Sequence, residues 1–190
     1  MRQLIREMRS YFSELSGLQE RVQRLSRQVV RDSARAVSAM HRGDERAVER
    51  LLKRAGKELH ELQQLARRDA WLQSSGGVLL AQQEYAEARL LQGLLRGKLL
   101  KPRAVGVDYH AYLGAVADVI GELRRCALDA IRRGELRQAE RMLERMEELY
   151  DLLMEFDYAD SVIPGMRRKQ DVARQLIERT RGDLTLAMRK

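Results

Sequence analysis

Two short motifs each contain a pair of carboxylates spaced by about one helical turn. Glu84 and Glu87 lie in Gln-Glu-Tyr-Ala-Glu-Ala, and Asp118 and Glu122 lie in Ala-Asp-Val-Ile-Gly-Glu-Leu. Both stretches read as helix, so the two acids of each pair share one face. Two such pairs on neighbouring helices would form a cluster of negative charge that requires a cation. Because carboxylate oxygens are the ligands that Mg²⁺ and Mn²⁺ prefer, the four acids predict a site for Mg²⁺, with Mn²⁺ as the alternative ion.

The two pairs differ in how strongly they indicate a site. On a helical wheel the first pair falls inside an apolar arc, where ionised carboxylates need a metal or buried salt bridges. The second pair shares its face with several charged residues, which by itself favours a solvated surface. Gly114 and Gly121 lie on that same face, and their bare backbone would let another helix or a substrate strand come close.

A stripe of arginines marks the first predicted helix and consists of Arg24, Arg27, Arg31, Arg35 and Arg42. Its residues Arg24 to Arg35 span roughly 16 Å at the helical rise, which matches a short length of nucleic-acid backbone. A solvated or salt-bridged face is the alternative interpretation. The chain has 36 basic and 28 acidic residues, a net charge of +8 that favours a polyanionic partner. A site for a hard metal ion on a basic protein therefore indicates phosphodiester chemistry on nucleic acid.

Composition narrows the remaining possibilities. Aromatic residues make up only 5% of the chain, so contacts to phosphate and sugar should outweigh base stacking. Cys126 is the only cysteine, which excludes an internal disulfide and fits a cytoplasmic location. The three histidines lack the Glu-x-x-His spacing of a di-iron centre. No segment approaches 18 uncharged apolar residues, so we expect no membrane association.

Apolar residues at three- and four-residue spacing predict an all-α protein with a long N-terminal helix. The expected helices, of which there are about six or seven, cover roughly residues 3–40, 45–72, 78–95, 108–133, 136–156 and 164–188. The run Ser74-Ser75-Gly76-Gly77 is the clearest break, and residues 97–106 read as a connector. With no linker or internal repeat, the pattern predicts a single domain over residues 1–190.

Four segments in register along nearly the whole chain resemble the translin family, and in particular archaeal members of the type of translin-associated factor X. They are Ser26-Arg27 with Ser33, Arg35 and His41-Arg42; Gln83-Glu84-Tyr85-x-Glu87-Ala88; Ala117-Asp118-x-x-Gly121-Glu122-Leu123-x-Arg125; and Phe156-Asp157-Tyr158 with Pro164-Gly165-x-Arg167-Arg168-Lys169 and Arg181-Gly182-Asp183-Leu184-Thr185.

The resemblance implies an all-helical translin fold that assembles into a hollow homo-oligomer, an octamer. The factor X type is the catalytic subunit of the component 3 promoter of RISC, a Mg²⁺-dependent endoribonuclease that acts inside the shell. Its catalytic acids match Glu84, Glu87, Asp118 and Glu122, which would also be the metal ligands. Translin itself lacks that acidic set and mainly binds RNA and DNA.

The sequence therefore predicts an endoribonuclease that cleaves single-stranded or partly paired RNA and that could also bind single-stranded DNA. Arg125 would hold a phosphate or orient a carboxylate. Two alternatives stay open: a translin-like RNA- and DNA-binding protein without catalysis, and a helical metal-binding regulatory protein. The predicted RNA-binding residues are Arg24, Arg27, Arg31, Arg35, His41, Arg42 and Arg125.

Overall fold

The computed structural model describes residues 1–189, which form helices and no strand. The all-α prediction is therefore confirmed. Within this range no helix is both long enough and apolar enough to cross a bilayer. The helices are α1 (Arg2–His41), α2 (Glu45–Ala66), α3 (Ala70–Gln73), α4 (Gly76–Leu95), α5 (Pro102–Val105), α6 (Tyr109–Arg132), α7 (Leu136–Met154) and α8 (Met166–Met188).

The chain divides into two compact units, Met1–Tyr85 and the residues from Ala86 onward. The boundary falls within α4, so Glu84 belongs to the first unit and Glu87 to the second. The single domain over residues 1–190 stays a prediction.

The first unit is built on the packing of α1 against α2. Val22, Leu25 and Val29 of α1 are buried at three- and four-residue spacing, as a helix with one apolar stripe requires. The two helices are joined by a tight turn at Gly43, whose φ of 70° suits glycine. The Asp44 side chain then caps α2 by accepting a hydrogen bond from the Ala47 backbone N–H at 2.9 Å.

The prediction of one helix from residue 45 to residue 72 is wrong at its end, because α2 stops at Ala66 and α3 begins at Ala70. Asp69 causes the restart. Its Oδ1 accepts from the backbone N–H of Trp71 at 2.8 Å, and its Oδ2 accepts from the Tyr11 hydroxyl at 2.7 Å. The predicted break at residues 74–77 is also shorter than expected, since α4 already begins at Gly76. The first difference comes from capping by the Asp69 side chain, which helical periodicity does not report.

The second unit is built on α6, α7 and α8, which pack against one another. Ile120 and Leu123 of α6 are fully buried, and Ile177 of α8 is nearly so. A Cβ added at Gly121 would lie 3.9 Å from Leu176 Cδ1 of α8. Of the two predicted reasons for a bare backbone at Gly121, the structure shows the approach of another helix.

Acidic residues of α7 form ion pairs with neighbouring arginines. Arg181 of α8 contacts Glu147 at 2.6 Å between Nη2 and Oε1, and Arg145 contacts Glu148 at 2.6 Å between Nη1 and Oε2. These acids therefore contribute to a salt-bridged surface of the second unit.

Candidate functional site

The first carboxylate pair lies in the middle of α4. Glu84 and Glu87 are both half-buried, and the residues between and beside them, Tyr85, Ala86 and Ala88, are buried. A carboxylate in such surroundings loses part of its hydration, which strengthens its attraction to a cation. The sequence prediction that these two acids lie among apolar residues is confirmed.

The second pair lies on α6, and Asp118 and Glu122 are also half-buried. This placement corrects the interpretation of a fully solvated face, because α8 covers part of it. Lys169 of α8 donates a hydrogen bond from Nζ to Asp118 Oδ1 and forms an ion pair with it. Each of these two side chains is 31% exposed. Asp118 therefore already has a positively charged partner in the second unit.

Metal binding by the four acids stays a prediction. Within residues 1–189 the structure contains no group of three or more His, Cys, Asp or Glu side chains that could hold a metal ion. Glu87, Asp118 and Glu122 belong to the second unit, while Glu84 belongs to the first. The nature of the donors fits Mg²⁺, since all four are hard oxygen ligands.

The arginine stripe is exposed along α1. Arg24, Arg27, Arg31 and Arg35 are all exposed, as is Arg42 just after the helix, while His41 is half-buried. A row of exposed guanidinium groups can bind successive phosphates through charge-assisted hydrogen bonds. Its role in RNA binding stays a prediction.

The one acidic residue between Arg21 and Arg42 does not interrupt the stripe. Asp32 is fully buried against α2, where Arg54 donates to it from Nε and from Nη2, the latter at 2.6 Å from Oδ1. Arg31 Nε lies 4.0 Å from the same oxygen. Because Arg54 binds the Asp32 carboxylate in the interior, the exposed face of this part of α1 keeps its positive charge.

Arg125 is exposed on α6, one turn from Glu122. Its positive charge acts on the neighbouring Cys126, whose thiol has a pKa raised to about 11. Burial is the main cause of the raised pKa, the charges of Glu122 and Asp129 add to it, and Arg125 and Arg133 oppose it. The thiol is therefore protonated at neutral pH and is a poor nucleophile or metal ligand.

Lys169 is the residue at this site that sequence reasoning missed. It lies 51 positions from Asp118, and no local pattern reports a pairing over that separation. The available signal was the run Arg167-Arg168-Lys169 at the start of α8, where cations are disfavoured by the helix dipole.

The second unit also contains an apolar recess of about 630 Å³. Four aromatic side chains line it, namely Tyr109, Tyr112, Phe156 and Tyr158. The Tyr112 hydroxyl donates to the Leu100 carbonyl at 2.7 Å, so its polar group is already satisfied. Lys101 and His110 also line it, and the described lining residues include no carboxylate.

Solved structures similar to this chain include those of AfC3PO and NeC3PO. The crystal structure of AfC3PO superimposes with a TM-score of 0.90 at 34% identity, covering 99% of this chain and 97% of that one. AfC3PO in complex with duplex RNA gives a TM-score of 0.85 at 33% identity with the same coverage. NeC3PO in its apo form gives a TM-score of 0.89 at 18% identity over 96% of both chains, which shows the shared fold.

Sequence comparison gives the same relationship. An uncharacterized protein of Methanocaldococcus jannaschii is 32% identical over 179 residues, covering 92% of this chain and 78% of that protein. The Translin family profile matches residues 70–181, a segment that includes both carboxylate motifs. The chain belongs to the translin family.

Proposed function

We propose that this protein is a Mg²⁺-dependent endoribonuclease of the factor X type that cleaves single-stranded or partly paired RNA. The observation that carries the proposal is the pair of half-buried carboxylate motifs on α4 and α6 of a translin-family chain. Translin-type binding alone does not require four acids at these positions. A cytoplasmic location is part of the same proposal.

Glu84, Glu87, Asp118 and Glu122 would hold the ion, or ions. When bound, Mg²⁺ would activate a water for attack on phosphorus and stabilise the charge on the leaving oxygen. Lys169 already forms an ion pair with Asp118, so an ion bound by Asp118 would compete with that contact.

RNA would be held mainly through its phosphates. Arg24, Arg27, Arg31 and Arg35 would contact successive phosphates, with His41 and Arg42 at the end of α1. Arg125 would bind a phosphate close to Glu122. AfC3PO is 33% identical to this chain, and its structure in complex with duplex RNA supports RNA as the ligand.

A cleavage assay tests the proposal. Purified protein is incubated with end-labelled RNA that carries single-stranded ends, with Mg²⁺ or with EDTA. We expect cleavage only with Mg²⁺, and a loss of at least about a hundredfold in Glu87→Gln with RNA binding retained, because the substitution removes a charge that would hold the ion. Glu144→Gln on the exposed face of α7 is the matched control and should cleave normally. Equal turnover by wild type and Glu87→Gln would refute the assignment.

Non-catalytic RNA and DNA binding is the second candidate. The ion pair between Lys169 and Asp118 favours it, because a carboxylate with a lysine partner can serve structure alone. This candidate predicts RNA retention in EDTA and no Mg²⁺-dependent cleavage by wild type. Single-stranded DNA should then compete with RNA for binding.

A homo-oligomer, with an octamer expected, completes the proposal. Leu4, Met8 and Tyr11 are each about half exposed, and they continue the four- and three-residue spacing of the stripe that is buried against α2. An exposed apolar row of this kind suits a second copy of the chain.

Light scattering should give eight subunits for wild type and fewer for Met8→Glu. Ser13→Glu, which adds the same charge on the other side of α1, should keep the wild-type mass.

A further inference from the structure

Three cations occupy the first turn of α8, where the helix dipole opposes positive charge. Arg167, Arg168 and Lys169 follow Met166 directly, and the turn contains no acid. A cation at a helix N-terminus is unfavourable, and an anion on a neighbouring element offsets that cost. For Lys169 that anion is Asp118 of α6.

The two other cations of the turn have different surroundings. Arg167 Nη2 contacts Asp157 Oδ1 at 3.4 Å, and both side chains are largely exposed. Arg168 is exposed. Of the three, only Lys169 is partly buried and directed at one of the four acids assigned to the metal site.

We infer that Lys169 is the resident counter-ion of Asp118, and that it must release this carboxylate before a divalent ion can load. The inference rests on the proposed function. An ammonium group on Asp118 Oδ1 neutralises the carboxylate without metal, and it repels a divalent cation that approaches the same group. Lysine suits this role because its charge sits on a flexible four-carbon stem that can move to another anion.

With Lys169 on Asp118, the charge of this carboxylate is matched without a metal ion. Lys169 is thus a positioning residue, because it acts through Asp118 and not on the reacting atoms.

Mn²⁺ binding to the full-length protein, followed by electron paramagnetic resonance without RNA, tests the inference. We expect Lys169→Gln to bind Mn²⁺ about tenfold more tightly than wild type, because a repelling charge within a few ångströms is removed. Arg168→Gln, which removes the same charge from an adjacent exposed position, should stay within about twofold of wild type. Lys169→Arg keeps the charge and should show none of the gain in affinity expected for Lys169→Gln.

The outcomes separate this inference from the proposed function. Binding by Lys169→Gln that equals or is weaker than wild type overturns the role of Lys169 while leaving the metal site intact. Mn²⁺ binding by Lys169→Gln but not by wild type also supports the inference. No binding by wild type or any variant at millimolar Mn²⁺ removes the metal site, and the inference with it. Asp118→Asn should lose binding, and thermal melting of each variant confirms that it is folded.

Discussion

The first unit contains a second carboxylate beside the ion pair of Asp32 with Arg54. Glu58 of α2 is half-buried, and one of its oxygens, Oε2, is buried without a hydrogen-bond partner. Burial raises the pKa of Glu58, and the nearby charge of Asp32 raises it further, while Arg54 and Arg31 oppose the shift. The folded protein therefore holds the proton of Glu58 more tightly than the unfolded chain does.

Glu58→Gln should raise the melting temperature at pH 7. The folded-state pKa of Glu58 lies above its unfolded value, so the ionised side chain destabilises the fold at neutral pH. Protonation removes this cost as the pH falls through the folded-state pKa to below the unfolded one. The gain from Glu58→Gln should therefore shrink as the pH is lowered toward 4, which melting curves from pH 4 to pH 8 would record.

Glu61→Gln provides the control. Glu61 is exposed on the same helix, and its contact with Arg21 at 3.3 Å lies in solvent, so its removal should change stability little. A lower melting temperature for Glu58→Gln than for wild type at pH 7 would contradict the argument from burial.

At the scale of single helices, sequence periodicity predicted the helix bounds that depend only on residues close together in the chain. The bounds of α1 and α6 came out within one or two residues of the expected ones, because each helix has a strong apolar stripe and a polar turn after it. The gap between α2 and α3 could not be predicted, since Asp69 also depends on Tyr11, 58 positions away. Asp69 both caps α3 and accepts the hydrogen bond of the Tyr11 hydroxyl, and Tyr11 comes near Asp69 only when the chain folds.

Two helical glycines should respond in opposite ways to alanine. A Cβ at Gly93 of α4 would come within 2.5 Å of the Lys98 carbonyl oxygen, which is backbone and cannot move aside easily. Gly93→Ala should therefore destabilise the protein by about 1–3 kcal/mol. At Gly121 of α6 the added methyl meets Leu176 at an ordinary 3.9 Å, so Gly121→Ala should stabilise by about 0.5–1 kcal/mol through helix propensity.

Urea denaturation of both variants would measure these changes. The two substitutions are chemically identical and both are helical, so each serves as the control for the other. Destabilisation by both would mean that the space around Gly121 is tighter than the structure indicates. Stabilisation by both would contradict the close approach of residues 93 and 98.

At the scale of the whole molecule, the sequence indicated the donors of the candidate site but not their partners. Local spacing placed each carboxylate pair on one helical face, and the apolar neighbours of Glu84 and Glu87 indicated partial burial. The pairing of Asp118 with Lys169 depends on the packing of α6 against α8, which no local pattern encodes. The same holds for Arg54, whose hydrogen bonds to Asp32 neutralise the acid beside the arginine stripe.

The net charge of +8 could attract RNA to any part of the surface, so the stripe on α1 must be tested against the charge of the whole chain. Each phosphate contact releases counter-ions and adds about 0.7 to the salt dependence of binding to a single strand. Replacing Arg27, Arg31 and Arg35 together by Gln should therefore lower the slope of log affinity against log salt by about 2. Filter binding of a single-stranded RNA between about 50 and 200 mM salt measures that slope.

The control triple variant replaces three exposed arginines of the second unit, Arg137, Arg141 and Arg179, by Gln. It removes the same total charge, so any loss caused by long-range attraction alone would be equal in the two variants. We expect the control to keep nearly the full salt slope, because its arginines form no stripe along one helix. Equal slopes for the two triple variants would instead mean that RNA contacts no particular row of phosphate-binding residues on α1.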